Sequence, residues 1–323
     1  MASGYCWSAK IRSVDDWKRY VWKKVRALYV PFIICNGGFV LLGNFFLHIG
    51  LYTGNDKFLA LTADWPIMQS IFSQQGIKEV IRNILKVFLF IGPTQMGTAT
   101  WFLTSLFIVL LIHSGIEIII NKLGSQYNNM VYGALIIFAA VSSQLITWWN
   151  PPIHYSVKCI PCTYLAFLIG LRVGKIDREN FYSWRMCIIS FIVLLFLESH
   201  LSIELSAAKI GNVLAYTIAS TCGWILLKSL AHCICKTQLL LKIMSFIGRH
   251  TLAILCLHVL SFKLVSGMYI YINKLSKIYM AAFHIIFDAN EIWKLLYLIV
   301  GVFLPLMVVW VFISAKNALH RFN

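Results

Sequence analysis

The chain has 323 residues, of which 59% are hydrophobic and only 12% are charged, and its formal net charge is +16. Because a soluble domain carries about 25% charged residues, this composition excludes an ordinary water-soluble protein. The apolar runs are continuous, which predicts an all-α, polytopic integral membrane helix bundle rather than a membrane barrel of short alternating segments. Lys and Arg gather at the ends of these runs, as in oriented membrane proteins, so we do not expect nucleic acid as a partner.

The first segment, residues 1–27, is basic and amphipathic. It lacks the apolar core of a cleavable signal peptide. Trp17 and Tyr20 share one side of a predicted helix and basic residues surround them, a pattern typical of a helix at the membrane surface. Ser13 precedes this helix as a candidate N-cap, with Asp15 in the first turn.

The rest of the chain, residues 28–323, contains about eight apolar segments that predict transmembrane helices, since about 20 residues cross a bilayer. A shorter run at 84–91, followed by Gly92 and Pro93, predicts a re-entrant or interfacial piece. We expect a single domain over residues 1–323. The predicted spans are residues 28–47, 100–120, 131–149, 161–173, 184–198, 210–230, 251–271 and 293–313.

The orientation follows from the basic residues between these spans. With a cytosolic N-terminus, most of the 28 Lys and Arg residues fall on the cytosolic side. Positive loops are retained inside, so we predict a multi-pass protein of the inner (plasma) membrane with its N-terminus in the cytosol.

Two ionisable side chains, His113 and Glu117, interrupt the apolar run at 100–120. They are four residues apart and therefore lie on one helix face. Ionisable groups inside a membrane are costly and need a partner or a function. The pair is either a polar contact that joins two helices or a functional site, and the sequence leaves both open.

The nine cysteines lie mostly in apolar runs, where a thiol behaves as a small hydrophobe. Cys159 and Cys162 form a CxxC pair, and Cys233 and Cys235 form a CxC pair. The predicted topology puts these pairs on opposite sides of the membrane, so we expect no shared metal site. A disulfide between Cys159 and Cys162 requires that their loop face an oxidising space.

Four short stretches, in this order and spread over nearly the whole chain, carry a family resemblance. They are Ser3-Gly4-Tyr5, the run KKVRALYVPF from Lys23 to Phe32, Trp101-Phe102-Leu103, and Ile247-Gly248-Arg249-His250-Thr251-Leu252 followed by His258. The chain resembles the membrane-bound acyltransferase-3 family, the polytopic O-acyltransferases that acetylate sugars, and fucose 4-O-acetylase-like members in particular.

The chain also departs from the family's pattern in two respects. The family's usual ten helices exceed the eight or so expected here, and the chain starts at what looks like the end of the second helix. We therefore expect two front helices, and the catalytic His that the family carries near them, to be lacking. The family's paired Arg-x-x-Arg is altered to Lys24-Val25-Arg26-Ala27.

The resemblance implies a chemistry. Acetyl-CoA would be the donor substrate, with no permanently bound cofactor, and a sugar or polysaccharide hydroxyl would be the acceptor. Lys24 and Arg26 match the residues that hold the CoA phosphates. His258 is the remaining candidate base, and Trp101 is a candidate substrate platform.

Simpler interpretations stay open for each of these residues. Lys24 and Arg26 also suit lipid headgroups. His258 suits a hydrogen bond to the backbone of a neighbouring helix, and Trp101 suits the interfacial aromatic belt.

Two other functions also stay open. The chain could be an inactive truncated paralogue with a structural role, as part of a homo- or hetero-oligomer. It could also be a polysaccharide transporter, flippase or polymerase, although the inverted repeats typical of transporters are not evident.

Overall fold

The computed structural model describes residues 1–9, 11–54, 73–90, 94, 96–176, 184–200, 205, 209–281, 285–286 and 289–322. Over these residues the chain is almost entirely helical and contains no β-strand, which confirms the all-α prediction. The α-helices are α1 (Ala2–Tyr5), α2 (Val14–Lys24), α3 (Val30–Leu41), α4 (Gly43–His48), α5 (Ile77–Phe88), α6 (Trp101–Leu123), α7 (Asn128–Trp149), α8 (Tyr155–Lys158), α9 (Ile160–Ile176), α10 (Trp184–His200), α11 (Val213–Cys235), α12 (Gln238–Arg249), α13 (Thr251–Ile272) and α14 (Glu291–Phe322).

Within the described residues, six helical stretches are long and apolar enough to cross a membrane. They are Val14–Leu41, Thr98–Leu123, Asn128–Trp149, Val213–Cys235, Thr251–Ile272 and Glu291–Ala315. The other two predicted spans form α9 and α10, which have 17 residues each. That length is near the lower end of the range for a membrane crossing, about 17–25 residues. The polytopic membrane bundle predicted from the sequence is therefore confirmed.

The predicted surface helix begins as the sequence indicates but does not end where expected. Ser13 caps α2, its hydroxyl accepting from the backbone N–H of Asp16 at 3.1 Å while the Asp16 carboxylate accepts from the Ser13 N–H at 3.2 Å. A π-helical turn at Val25–Tyr29 then leads directly into α3. Each residue from 14 to 41 is helical, so the basic amphipathic segment and the first apolar segment form one continuous stretch.

Two amphipathic helices differ from the sequence prediction. The short interfacial piece expected at 84–91 is the end of α5, which begins seven residues earlier at Ile77; Gly92 and Pro93 lie outside the described residues. Helix α12 was not predicted at all. Both helices mix apolar and basic residues, so neither stands out as an apolar run.

The helices form two compact units. The first contains Met1–Tyr29 and Trp101–Ile243. In it α1 packs closely on α9: a Cβ added at Gly4 would overlap the α9 backbone, and one added at Gly170 would overlap the backbone of Met1, just before α1. Small residues allow this kind of approach between membrane helices. The buried core of this unit is contributed mainly by α6 and α9.

The second unit contains Val30–Thr100 and Met244–Asn323, and α13 and α14 pack along each other in it. A fully buried amide, that of Asn36, organises its centre. Asn36 donates to Phe32 O at 3.1 Å and to Thr100 Oγ1 at 2.9 Å, and it accepts from the backbone N–H of Thr94 at 3.1 Å. The amide therefore ties α3 to the segment that precedes α6.

Candidate functional site

The first unit contains a basic cavity of about 560 Å³ beside α1 and α2. Arg19, Lys23 and Lys24 contribute positive charge to its wall, and Asp16 contributes the one carboxylate among its lining residues. Asp16 is held 2.8 Å from the Arg19 guanidinium, so the two lysines supply most of the excess charge. A cavity of this size and sign suits an anionic small molecule. The lining residues are Ser3, Cys6, Trp7, Ser8, Ala9, Ile11, Asp16, Arg19, Tyr20, Lys23, Lys24, Leu28, Leu106 and Leu110.

The two residues matched to the family's basic pair are separated. Lys24 lines the basic cavity, and its ammonium group lies 5.3 Å from the centroid of the Tyr20 ring. Arg26 instead places its guanidinium over the exposed ring of Trp22, 4.9 Å from its centroid. Arg26 is not among the residues that line the cavity. Its surroundings resemble those of an interfacial anchor more closely than those of a ligand-binding residue.

Two aromatic residues in the wall of the basic cavity carry unpaired polar atoms. The indole Nε1 of Trp7 and the hydroxyl of Tyr20 are buried and have no hydrogen-bond partner among the described residues. The two rings meet edge to face, with centroids 5.4 Å apart. A buried polar group without a partner costs about 1–3 kcal/mol. Sequence reasoning assigned Tyr20 to the membrane surface and gave Trp7 no role.

A second cavity of the same unit, of about 370 Å³, is mainly aromatic and apolar. Trp101 lines this aromatic cavity together with Tyr216 and Trp224. Ser3 and Leu106 line both the aromatic cavity and the basic cavity, so the two spaces adjoin at these residues. Ring faces of this kind suit a sugar or an acyl chain.

His113 and Glu117 meet within the first unit, as their spacing predicts. His113 is fully buried, with Nδ1 3.3 Å from the Tyr164 hydroxyl and Nε2 3.3 Å from Glu117 Oε2. The second contact is not aligned as a hydrogen bond. The Tyr132 hydroxyl donates to the same carboxylate oxygen at 3.3 Å. Since other side chains enclose both imidazole nitrogens, this geometry fits a structural network better than a group that takes a proton from substrate.

A smaller polar cavity of about 290 Å³ adjoins this network, with Glu117, Tyr132 and Lys175 in its wall. The Tyr132 ring lies beneath two cations, 4.6 Å from the Arg172 guanidinium carbon and 4.8 Å from the Lys175 ammonium. The sequence gives no signal for this arrangement, because it depends on the packing of α7 against α9.

His258 lies in the second unit, partly buried within α13. Its Nδ1 is 3.0 Å from Ile254 O and 3.1 Å from Leu255 O. Carbonyl oxygens only accept hydrogen bonds, so Nδ1 carries the proton in the neutral ring and Nε2 carries the lone pair. Five residues further on, the buried Lys263 donates to Met280 O at 2.9 Å. The simpler interpretation, a bond to the backbone of a neighbouring helix, is not what the structure shows: both carbonyls belong to α13 itself. The bond within the helix leaves one basic nitrogen.

None of the nine cysteines forms a disulfide. Cys159 donates to Leu205 O at 2.9 Å and Cys162 donates to Cys159 O at 3.1 Å, so the pair forms no disulfide here. Among the described residues no group of three or more His, Cys, Asp or Glu side chains could hold a metal ion.

One comparison with known proteins identifies a family. A family model described as an acyltransferase domain matches residues 1–315, nearly the whole chain. No curated protein and no solved structure matches the chain significantly. The matched region covers every stretch that carries the resemblance noted above, all of the first compact unit and all but the last eight residues of the second. The chain therefore belongs to the membrane-bound acyltransferase-3 family.

Proposed function

We propose that this protein transfers an acetyl group from acetyl-CoA to a hydroxyl of a cell-surface or intermediate polysaccharide. Membership of the family supports acyl transfer by a membrane protein, and the resemblance to sugar O-acetylases suggests this donor and acceptor. The proposed setting is the inner (plasma) membrane, with the N-terminus in the cytosol, where acetyl-CoA is found.

The observation that carries the donor half of this proposal is the basic cavity. Lys24, matched to the family by its position in the sequence, lines it together with Arg19 and Lys23. CoA carries phosphate groups, which cationic side chains bind strongly. CoA also carries amide carbonyls, which are suitable acceptors for Trp7 Nε1 and the Tyr20 hydroxyl. Both atoms are buried in the ligand-free protein, so a hydrogen bond to CoA requires their side chains to rotate toward the ligand.

The aromatic cavity is the proposed acceptor site. Its position next to the basic cavity, across Ser3 and Leu106, would bring an acyl group and a sugar close together. Trp101 offers an apolar ring face to a sugar. The substrate role of Trp101 and the donor role of Lys24 can then be tested separately.

In the proposed reaction the acceptor oxygen attacks the thioester carbonyl carbon, and a new C–O bond forms as the C–S bond breaks. A base takes the hydroxyl proton, and the CoA thiolate leaves and is protonated. The proposal of His258 as this base rests on the family resemblance alone and not on the geometry of the two cavities, and Nε2 is the nitrogen that would receive the proton. Acyl transfer of this kind needs no metal or redox group.

The experiment is an acetyl-transfer assay with the purified protein in nanodiscs, radiolabelled acetyl-CoA and polysaccharide from the source cells. We expect label in the polysaccharide, and we expect Trp101→Ala to raise KM for the acceptor while KM for acetyl-CoA is unchanged. Absence of transfer by a folded protein that also fails to bind acetyl-CoA would refute the proposal and favour the inactive paralogue.

A further inference from the structure

Helix α5 has a divided exposed surface. It packs against α3 in the second unit, and Val87 is buried. Two hydrogen bonds fix the chain just before it, from Asn44 Nδ2 to Gln75 O at 2.9 Å and from the Gln75 N–H to Asn44 Oδ1 at 2.8 Å. The helix is therefore held in place at both ends, so the exposed side chains described below belong to an anchored helix and not to a frayed one.

One half of that outer surface is apolar. Ile77, Ile81, Leu85 and Phe88 are exposed by 81%, 54%, 58% and 46%. Their spacing of four, four and three residues puts them in one stripe along the helix. Four large apolar side chains in a row on a surface helix indicate contact with something other than water.

The other half is basic. Lys78, Arg82 and Lys86 are exposed and recur every four residues, so they form a second stripe beside the apolar one. Glu79 is the carboxylate on this helix, 3.7 Å from the Arg82 guanidinium, and it also accepts from the Gly76 N–H at 3.3 Å. The exposed surface therefore keeps a net positive charge.

We propose that α5 lies in the plane of the membrane interface and binds the headgroups of anionic phospholipids. Its 12 residues span about 18 Å, too short to cross a bilayer. An apolar stripe and an adjacent basic stripe are the two features of a helix that inserts one side into the acyl chains and presents the other to phosphates. The basic residues complement the charge of anionic lipid headgroups. This inference does not depend on the proposed acyl transfer.

The first test measures lipid selectivity. The whole protein is placed in phosphatidylcholine with or without phosphatidylglycerol, and the association of spin-labelled lipids is recorded. We expect the wild-type protein to prefer phosphatidylglycerol. We expect this preference to fall at least about fivefold in the Lys78→Gln/Arg82→Gln/Lys86→Gln variant, because a single basic group near the surface contributes about fivefold to the binding of anionic lipid. The charge-preserving Lys78→Arg/Lys86→Arg variant is the control and should retain it. An unchanged preference in the triple Gln variant would overturn the proposal.

A second measurement separates lipid from a protein partner and does not depend on the stability of the triple variant. A photoreactive phenylalanine analogue is introduced at Ile81, on the apolar stripe, in cell membranes. We expect crosslinks to lipid acyl chains. Crosslinks predominantly to another protein would show that the surface is a protein interface and would also overturn the proposal.

Discussion

The Trp7 indole and the His113 imidazole meet edge to face, with ring centroids 4.9 Å apart and ring planes at 78°. Trp7 also lines the basic cavity, so its ring connects that cavity to the His113–Glu117 network. A ligand in the basic cavity and the buried His113–Glu117 network would therefore contact the same side chain, that of Trp7.

The unpaired donors of the basic cavity give the first prediction. Tyr20→Phe removes a buried hydroxyl without a partner, so the ligand-free protein should be equally stable or more stable, by up to about 1–3 kcal/mol. The same change should reduce the stabilisation that acetyl-CoA produces in thermal unfolding. Tyr29→Phe is the control, since Tyr29 is outside the cavity lining. A variant that is destabilised alone and stabilised normally by acetyl-CoA would contradict this prediction.

His258→Asn tests the proposed base. Asn keeps a donor for the backbone carbonyls one turn back but has no second ring nitrogen to accept a proton. We expect kcat to fall by about 10²–10⁴-fold, the usual contribution of a general base, with KM for acetyl-CoA unchanged. The pH profile of kcat should also lose its acidic limb. A fall in activity that tracks a loss of folded protein would point to a structural role only.

Glu117→Ala tests the interpretation of the polar pair as a structural network. The change leaves the Tyr132 hydroxyl and His113 Nε2 without their carboxylate neighbour in a largely buried place. We expect a loss of about 1–3 kcal/mol in the free energy of unfolding. Glu117→Gln keeps an acceptor for Tyr132 and should lose less. Equal stability of the wild type and Glu117→Ala would contradict the structural role.

Asn36→Leu tests the amide at the centre of the second unit. Leu has the same branched arrangement of side-chain heavy atoms as Asn, but it leaves the buried hydroxyl of Thr100 and the Thr94 N–H without this partner. We expect a loss of at least about 2 kcal/mol, measured by chemical unfolding in detergent. The control is Asn83→Leu on α5, where the side chain is only partly buried. Similar effects of the two changes would show that the hydrogen bonds of Asn36 are unimportant.

Features with local causes were predictable from the sequence. The long apolar runs predict the membrane helices, Ser13 predicts the cap of α2, and the four-residue spacing predicts the contact of His113 with Glu117. Features that depend on which helices meet were not predictable. Trp7 acquires its place only through the packing of the N-terminal segment against α6 and α9.

The basic pair illustrates the same limit. Lys24 and Arg26 are two residues apart, so they point to different sides of their helix. A match to a sequence motif does not predict which of the two side chains faces a cavity. Lys24 does, and Arg26 lies over Trp22.

The most direct test of the account is equilibrium binding of radiolabelled acetyl-CoA to the purified protein in nanodiscs, for wild type, Lys24→Ala and Lys18→Ala. Lys18 is on the same helix and is 68% exposed, so its variant controls for loss of charge. We predict that wild type and Lys18→Ala bind alike and that Lys24→Ala binds at least about tenfold more weakly, because a charge-assisted contact to phosphate is lost. No binding by folded wild-type protein, or equal binding by Lys24→Ala, would contradict the placement of the donor in the basic cavity.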